Sequence, residues 1–245
     1  MNKKLKCILI DLDGTIINSG PDLIDSLNFV LRNQNMKPIE KRIIGSLVGG
    51  GAKAMITRAY QNLKLKPPRN IDSLVGGGAK AMIIRAYQNL KLKPPPNIEA
   101  LIEEFLEFYF ENCSNRSFLY PNVFNTLRKL KSKFKIALCT NKKQFITEKI
   151  LMDFKIEDFF DCALGSDSKI KLKPDTEMLE YCLNECHVTP EQAIMIGDSS
   201  NDIIPAKTLG MKSIYVTYGY GKIENSIKPD YVIDCFNEVL KVIKF

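Results

Sequence analysis

The sequence lacks the marks of a secreted or membrane chain. No apolar stretch approaches the roughly 20 residues that a spanning helix needs. The opening segment MNKKLKCILIDLDG carries early lysines, but its apolar run, residues 7–10, is cut by Asp11. A signal peptide needs about 7–15 apolar residues there. A cytoplasmic protein is expected. There is no C-x-x-C pair, and the seven cysteines, at 7, 113, 139, 162, 182, 186 and 235, are odd in number and scattered. A disulfide framework is therefore not expected. Histidine is scarce: His187 stands alone, beside Cys182 and Cys186. No fourth ligand lies at zinc spacing. Two cysteines one helical turn apart read instead as small core residues. Basic blocks are absent too. Lys+Arg is 35 against Asp+Glu 28, a net charge of +7, but the lysines are interleaved with acids along the chain. Aromatics do not alternate with them as on a stacking platform. Neither nucleic acid nor a membrane is expected as a partner, while a modest positive field favours an anionic small molecule.

What is present is ordinary globular composition, with 45% hydrophobic and 26% charged residues in 245. That length can bury a substantial core. Part of it is repeated text. Residues 46–72 and 73–99 match at 24 of 27 positions, differing only at Thr57/Ile84, Arg69/Pro96 and Asp72/Glu99. Each copy reads as a Gly-rich turn, an amphipathic helix and a Pro-rich stop. The apolar stripe is 52, 55, 56, 59, 60, 63 in one and 79, 82, 83, 86, 87, 90 in the other. Two units are too few for a solenoid. The repeat reads as a local duplication in an insert, or as a second helix that alters a pocket or makes a partner surface. Without the copy the chain would have 245 − 27 = 218 residues.

Short runs rich in Ile, Val and Leu at 6–10, 135–139, 162–164, 193–196 and 213–216 predict buried strands. Helical spacing fills 123–133, 145–154 and 176–186 between them. The alternation predicts an α/β fold with a Rossmann-like parallel sheet. It breaks between 18 and 118, where 22–33 and 98–110 read as helices around the repeat. The expected organisation is a discontinuous α/β core, 1–17 and 119–245, with a helical cap, 18–118, inserted after the first strand.

Ligand sites in such sheets lie at the carboxyl ends of the strands. Asp11-Leu12-Asp13-Gly14-Thr15, Thr140-Asn141-Lys142 and Gly197-Asp198-Ser199-Ser200-Asn201-Asp202 each follow a predicted strand. Asp11 and Asp13, two apart in extended chain, point to one side. With Asp198 they form a carboxylate cluster that needs a hard, oxygen-liganded cation such as Mg²⁺. Gly14 permits a tight turn. Thr15 offers a hydroxyl and an N–H to an anion, Thr140 and Asn141 add neutral donors, and Lys173 adds a positive charge. Nucleophile, acid/base, metal and cationic clamp together suit phosphoryl transfer.

These motifs, in this order, resemble the haloacid dehalogenase superfamily of phosphatases, and the insert resembles its first-type cap. Val48-Gly49-Gly50-Gly51 before a helix with Arg58, Tyr120-Pro121-Asn122-Val123, Thr140-Asn141-Lys142 and the tail Pro229-Asp230-Tyr231-Val232-Ile233-Asp234 resemble bacterial phosphoglycolate phosphatases. The resemblance implies that Asp11 is a nucleophile that becomes phosphorylated. It implies that Asp13 protonates the leaving alcohol and then activates water. Mg²⁺ would be held by Asp11, the Asp13 carbonyl and Asp198. Thr140 and Lys173 would bind phosphoryl oxygens, and Asp202 would support the metal shell or Lys173. The implied reaction is hydrolysis of a small phosphomonoester, 2-phosphoglycolate first, by a monomer or homodimer. Dehalogenation is disfavoured because dehalogenases of this superfamily lack an acid at the position of Asp13. Nucleotide monophosphates, pyrophosphate or sugar phosphates, including mutase chemistry, remain alternatives. So does a relic disabled by the duplication, in which either 49–51 or 76–78 could reach the site. Cap hinges are expected near 17–20 and 118–121.

Overall fold

The computed structural model describes residues 4–40, 79–94, 98–166, 169–224 and 226–244. The first copy of the repeat, with Arg58 and the Gly-rich turns 49–51 and 76–78, lies outside the described residues.

The apolar runs form strands covered on both faces, as parallel sheets require. β1 (Cys7–Ile10) has four consecutive buried residues. β4 (Lys135–Lys143), β5 (Cys162–Ser166), β6 (Ala193–Gly197), β7 (Lys212–Val216) and β8 (Tyr231–Ile233) join it in one sheet, ordered β5-β4-β1-β6-β7-β8. Every pairing in that sheet is parallel. Strand alternation divides the core in two. Ile8, Ile10, Ile136, Leu138, Ile194 and Ile196 pack on one face. Cys7, Leu9, Ala137, Cys139, Ala193 and Met195 pack on the other, with Cys182 and Cys186. All the cysteines are free, and those two are buried core residues as expected. Between strands lie α4 (Val123–Lys131), α5 (Gln144–Asp153), α6 (Glu177–Glu185) and α7 (Ser200–Thr208); a short α8 (Val239–Val242) closes the chain.

The cap is a layer of three described helices, α1 (Gly20–Asn33), α2 (Ala79–Asn89) and α3 (Ile98–Asn112). Leu23, Leu27, Val30 and Leu31 of α1 form an i, i+4, i+7, i+8 stripe that meets Leu101, Phe105 and Tyr109 of α3 in one cluster. α2 belongs to the second copy of the repeat. Its predicted stripe is the buried one: Met82, Ile83, Ala86 and Tyr87 are buried. A two-stranded antiparallel ribbon, β2 (Ile17–Asn18) and β3 (Phe118–Leu119), forms where the chain leaves for the helices and returns. These are the expected hinge segments. Asp22, buried at the start of α1, fastens the return by accepting hydrogen bonds from the amides of Arg116 (3.0 Å) and Ser117 (2.7 Å). No helix among the described residues is long and apolar enough to cross a membrane.

Candidate active site

From β1 the sheet grows outward to β4 and β5 on one side and to β6, β7 and β8 on the other. The carboxyl end of β1 is therefore the switch point where a crevice opens. Asp11 stands there, its amide donating to the Ile196 carbonyl of β6 at 2.9 Å. Gly14 then turns the chain at φ +81, and a Cβ there would lie 2.1 Å from Asp198 Oδ2. A glycine supplies both the positive φ and the close approach.

Asp198 follows β6. Its Oδ2 accepts from the backbone amides of Tyr220 (2.7 Å) and Gly221 (2.9 Å), which orient the carboxylate. Asp202 sits in the first turn of α7 and caps it, Oδ2 accepting from the Ser199 amide (3.1 Å) and hydroxyl (2.9 Å). Its Oδ1 accepts from Lys173 Nζ at 2.6 Å. Lys173 Nζ also donates to Asp11 Oδ1 at 2.8 Å and to the Cys139 carbonyl at 2.6 Å. Carboxylate oxygens of Asp11, Asp198 and Asp202 all lie within 4.8 Å of one another.

Three buried carboxylates face one buried ammonium, and the titration reflects that imbalance. Burial, reinforced by Asp202 and Asp13, raises Asp11 to about 7, although Lys173 opposes it. Burial and the neighbouring Asp202 and Asp11 push Asp198 well above the carboxylate range. Burial acts against the Lys173 ammonium, but Asp11 and Asp202 outweigh it and hold its pKa above the ordinary lysine value. An oxygen-lined pocket with excess negative charge fits a divalent cation such as Mg²⁺.

β4 supplies the opposite wall. Its pairing with β5 slips between Cys139 and Lys143, where four residue steps oppose only the two from Leu164 to Ser166. The bulge turns Thr140, Asn141 and Lys142 onto the cavity. Gly165 makes the slip possible, since a Cβ there would meet the Gln144 backbone at 2.7 Å. Asn141 donates from Nδ2 to the Lys173 carbonyl (2.8 Å) and accepts at Oδ1 from the Lys173 amide (2.9 Å). It therefore clamps the loop that carries Lys173, with one of its two amide hydrogens committed to that loop.

Gly14 and Thr15 also differ from expectation. The Gly14 amide donates to Ile17, the Thr15 amide to Leu12, and the Thr15 side chain is fully buried. The Thr15 hydroxyl has no hydrogen-bond partner among the described residues. Both amides are engaged within the turn, and neither residue lines the cavity.

Asp13 does line it, with Asp11, Thr140, Lys173 and Asp198. The Ser19 hydroxyl donates to Asp13 Oδ1, and Lys142 Nζ lies 3.1 Å from Asp13 Oδ2. The cavity, about 390 Å³, runs from the sheet edge to the cap, where Met82, Arg85, Phe105 and Tyr109 wall it. Lys142 Nζ donates to the Tyr109 hydroxyl at 2.7 Å, joining core to cap. Tyr220, Ser19, Lys142, Tyr109 and Arg85 are site residues that the sequence reading left without a role. Only Lys142, next to Thr140-Asn141, carried a local signal. Arg85 is the second-copy counterpart of Arg58.

A family model for haloacid dehalogenase-like hydrolases matches residues 8–216. The chain belongs to this family. It is 32% identical over 240 residues to a phosphoglycolate phosphatase of Colwellia psychrerythraea, covering 97% of this chain and 96% of the relative. It is 33% identical over 247 residues to one of Haemophilus influenzae, covering 99% and 100%. A crystal structure described as a predicted phosphoglycolate phosphatase from Haemophilus somnus superposes with a TM-score of 0.80 at 29% identity, covering 98% of each chain. The chain is thus a phosphatase of the haloacid dehalogenase-like family, and its helical insert is a cap of the kind the sequence suggested.

Proposed function

We propose that the protein hydrolyses 2-phosphoglycolate to glycolate and phosphate through a phosphorylated Asp11. Asp11 attacks phosphorus, and the bond to the bridging oxygen breaks. Asp13 gives its proton to the departing glycolate oxygen, then takes one from the water that attacks the aspartyl-phosphate. Phosphate leaves and Asp11 is restored. Lys173 neutralises Asp11 and the phosphoryl oxygens, Thr140 donates to those oxygens, and Asp202 positions Lys173. Asn141 holds the Lys173 loop in place. Asp11, Asp198 and the Asp13 carbonyl would hold Mg²⁺. When bound, the cation supplies charge stabilisation to the transferring phosphoryl group. The cap, residues 18–118, closes over the core across the β2–β3 ribbon and excludes water.

The observation that carries this reading is the pairing of a buried Asp11 with Lys173 at 2.8 Å in the cavity that Asp13 also lines. The relatives named above support the substrate. Phosphate release with Mg²⁺ should be fastest on 2-phosphoglycolate in a panel with nucleotide monophosphates, pyrophosphate and sugar phosphates. Asp11→Asn should abolish it. A nucleotide preference overturns the substrate, and an active Asp11→Asn protein overturns the mechanism.

A further inference from the structure

The proposed chemistry leaves Lys142 without a task. Its side chain is 5% exposed, and burying an ammonium is costly unless it is well partnered. A methionine or leucine would fill the same wall without that cost. Its neighbours are specific: Asp13 Oδ2 at 3.1 Å, the Tyr109 hydroxyl at 2.7 Å and the Tyr109 ring centroid at 4.5 Å. An ammonium carries three donors. Among the described residues the Tyr109 hydroxyl accepts one and Asp13 faces the ammonium as its ion-pair partner, which leaves a donor for a molecule in the cavity that Lys142 lines.

Position decides what that molecule offers. A general acid must lie about 2.6–3.2 Å from the oxygen it protonates. The leaving oxygen of the substrate therefore sits against Asp13, and Lys142 Nζ sits against the same carboxyl. A group on the carbon next to the leaving oxygen comes within reach of Nζ. Lys173 is not available for this, being engaged by Asp11, Asp202 and the Cys139 carbonyl.

We infer that Lys142, steadied by Tyr109 of the cap, is the specificity-determining residue that binds a carboxylate one carbon from the bridging oxygen. This rests on the reading of Asp13 as the leaving-group acid. On binding, the substrate carboxylate takes the ammonium over from Asp13, which frees Asp13 for the leaving oxygen. The Tyr109 hydroxyl brings cap closure into the same contact.

The test compares 2-phosphoglycolate with its neutral carboxamide, phosphoglycolamide, in wild type, Lys142→Met and Tyr109→Phe. Wild type should prefer the acid by about 10- to 100-fold in kcat/KM, mostly through KM, the size of one charge-assisted hydrogen bond. Lys142→Met should slow both esters, because Asp13 loses a neighbour, yet bring the preference below about 3-fold on the same scale. Inhibition by glycolate should weaken with it, while inhibition by inorganic phosphate should not. Tyr109→Phe should reduce the preference part-way, and it carries the test alone if Lys142→Met fails to fold. Equal losses on both esters, with the preference intact, overturn the subsite and leave the proposed function standing. A wild type that hydrolyses neither ester overturns both.

Discussion

Replacing Lys173 with methionine tests the electrostatic account of the site through stability alone. Lys173 is 1% exposed and gives its three hydrogen bonds to Asp11, Asp202 and the Cys139 carbonyl. Methionine is of similar length, so the change removes charge more than volume. Taking one partner from a buried ion pair costs about 3–5 kcal/mol, because the other charge is left uncompensated. Here two carboxylates are left, with Asp198 within 4.8 Å, so the upper part of that range applies where all are ionised. At about 2–4 °C per kcal/mol for a chain of this size, a loss of about 4–5 kcal/mol lowers Tm by about 8–20 °C.

The loss has a pH signature. Burial raises Asp11 in the folded state from 3.8 to about 7. A carboxyl whose folded pKa is raised favours folding while protonated, and that contribution is lost as pH rises through the folded value. At pH 5 Asp11 is protonated with or without the lysine, so its share of the deficit falls away and only the share from losing the Asp202 contact is left. At pH 8 only the wild type has a cation against the ionised group, so the deficit is largest. Circular dichroism melts of both proteins in EDTA at pH 5 and pH 8 read this directly. Asp202→Asn on top of Lys173→Met should recover part of the loss at pH 8. A deficit equal at the two pH values, or a Tm change under about 3 °C at pH 8, would refute the reasoning.

Mg²⁺ should raise Tm more at pH 8 than at pH 5, because protons compete with the cation for Asp11 and Asp198; an equal rise at both would place the ion elsewhere. Asp22→Ala should cost about 2–3 kcal/mol in urea unfolding, since the amides of Arg116 and Ser117 lose a buried acceptor. A loss under about 0.5 kcal/mol would show those amides finding water instead. Deleting 46–72 should give a 218-residue protein that keeps α2, its Arg85 and the wild-type substrate preference. Deleting 73–99 leaves the same length but puts Thr57 where Ile84 stands half-buried, and should be the less stable by about 1 kcal/mol. A deletion of 46–72 that abolished activity would assign the first copy a role in the site.

The central strands were legible because both their faces are buried, which leaves unbroken apolar runs in the text. β8 was not, being three residues long with Tyr231 and Val232 exposed at the edge, so it shows neither a run nor an alternation. β2 and β3 are two residues each, too short for any period to register, yet the change from α/β to helical pattern located them. The carboxylates were legible for a topological reason: whatever follows a parallel strand must stand at the crevice, so Asp11, Asp13 and Asp198 could be placed by counting from strands. Hydrogen-bond partners could not be counted in that way. Asn141 meets the backbone of Lys173 32 residues later, and Lys142 meets Tyr109 33 residues earlier, across the gap between core and cap. Thr15 looked like a donor because nothing local shows how tightly the turn at Gly14 is wound.

Why the second copy places a helix beside α3 is a different kind of gap. With 24 of 27 positions shared, composition and periodicity assign both helices the same apolar stripe, so no local rule can separate them. Connectivity supplies the missing term. α2 ends at Asn89 and α3 begins at Ile98, and short links of this length make consecutive helices antiparallel neighbours. α3 is itself fixed, because its Phe105 and Tyr109 pack with the α1 stripe and Tyr109 meets Lys142. α2, tethered to α3 by this link, comes from the second copy, and its Met82, Ile83, Ala86 and Tyr87 are buried. Lys80 adds a bond at 3.1 Å to Glu99, one of the three positions where the copies differ, but aspartate in its place would keep the charge. The short link to α3 therefore accounts for the place of the second-copy helix beside α3, which sets Arg85 on the cavity wall.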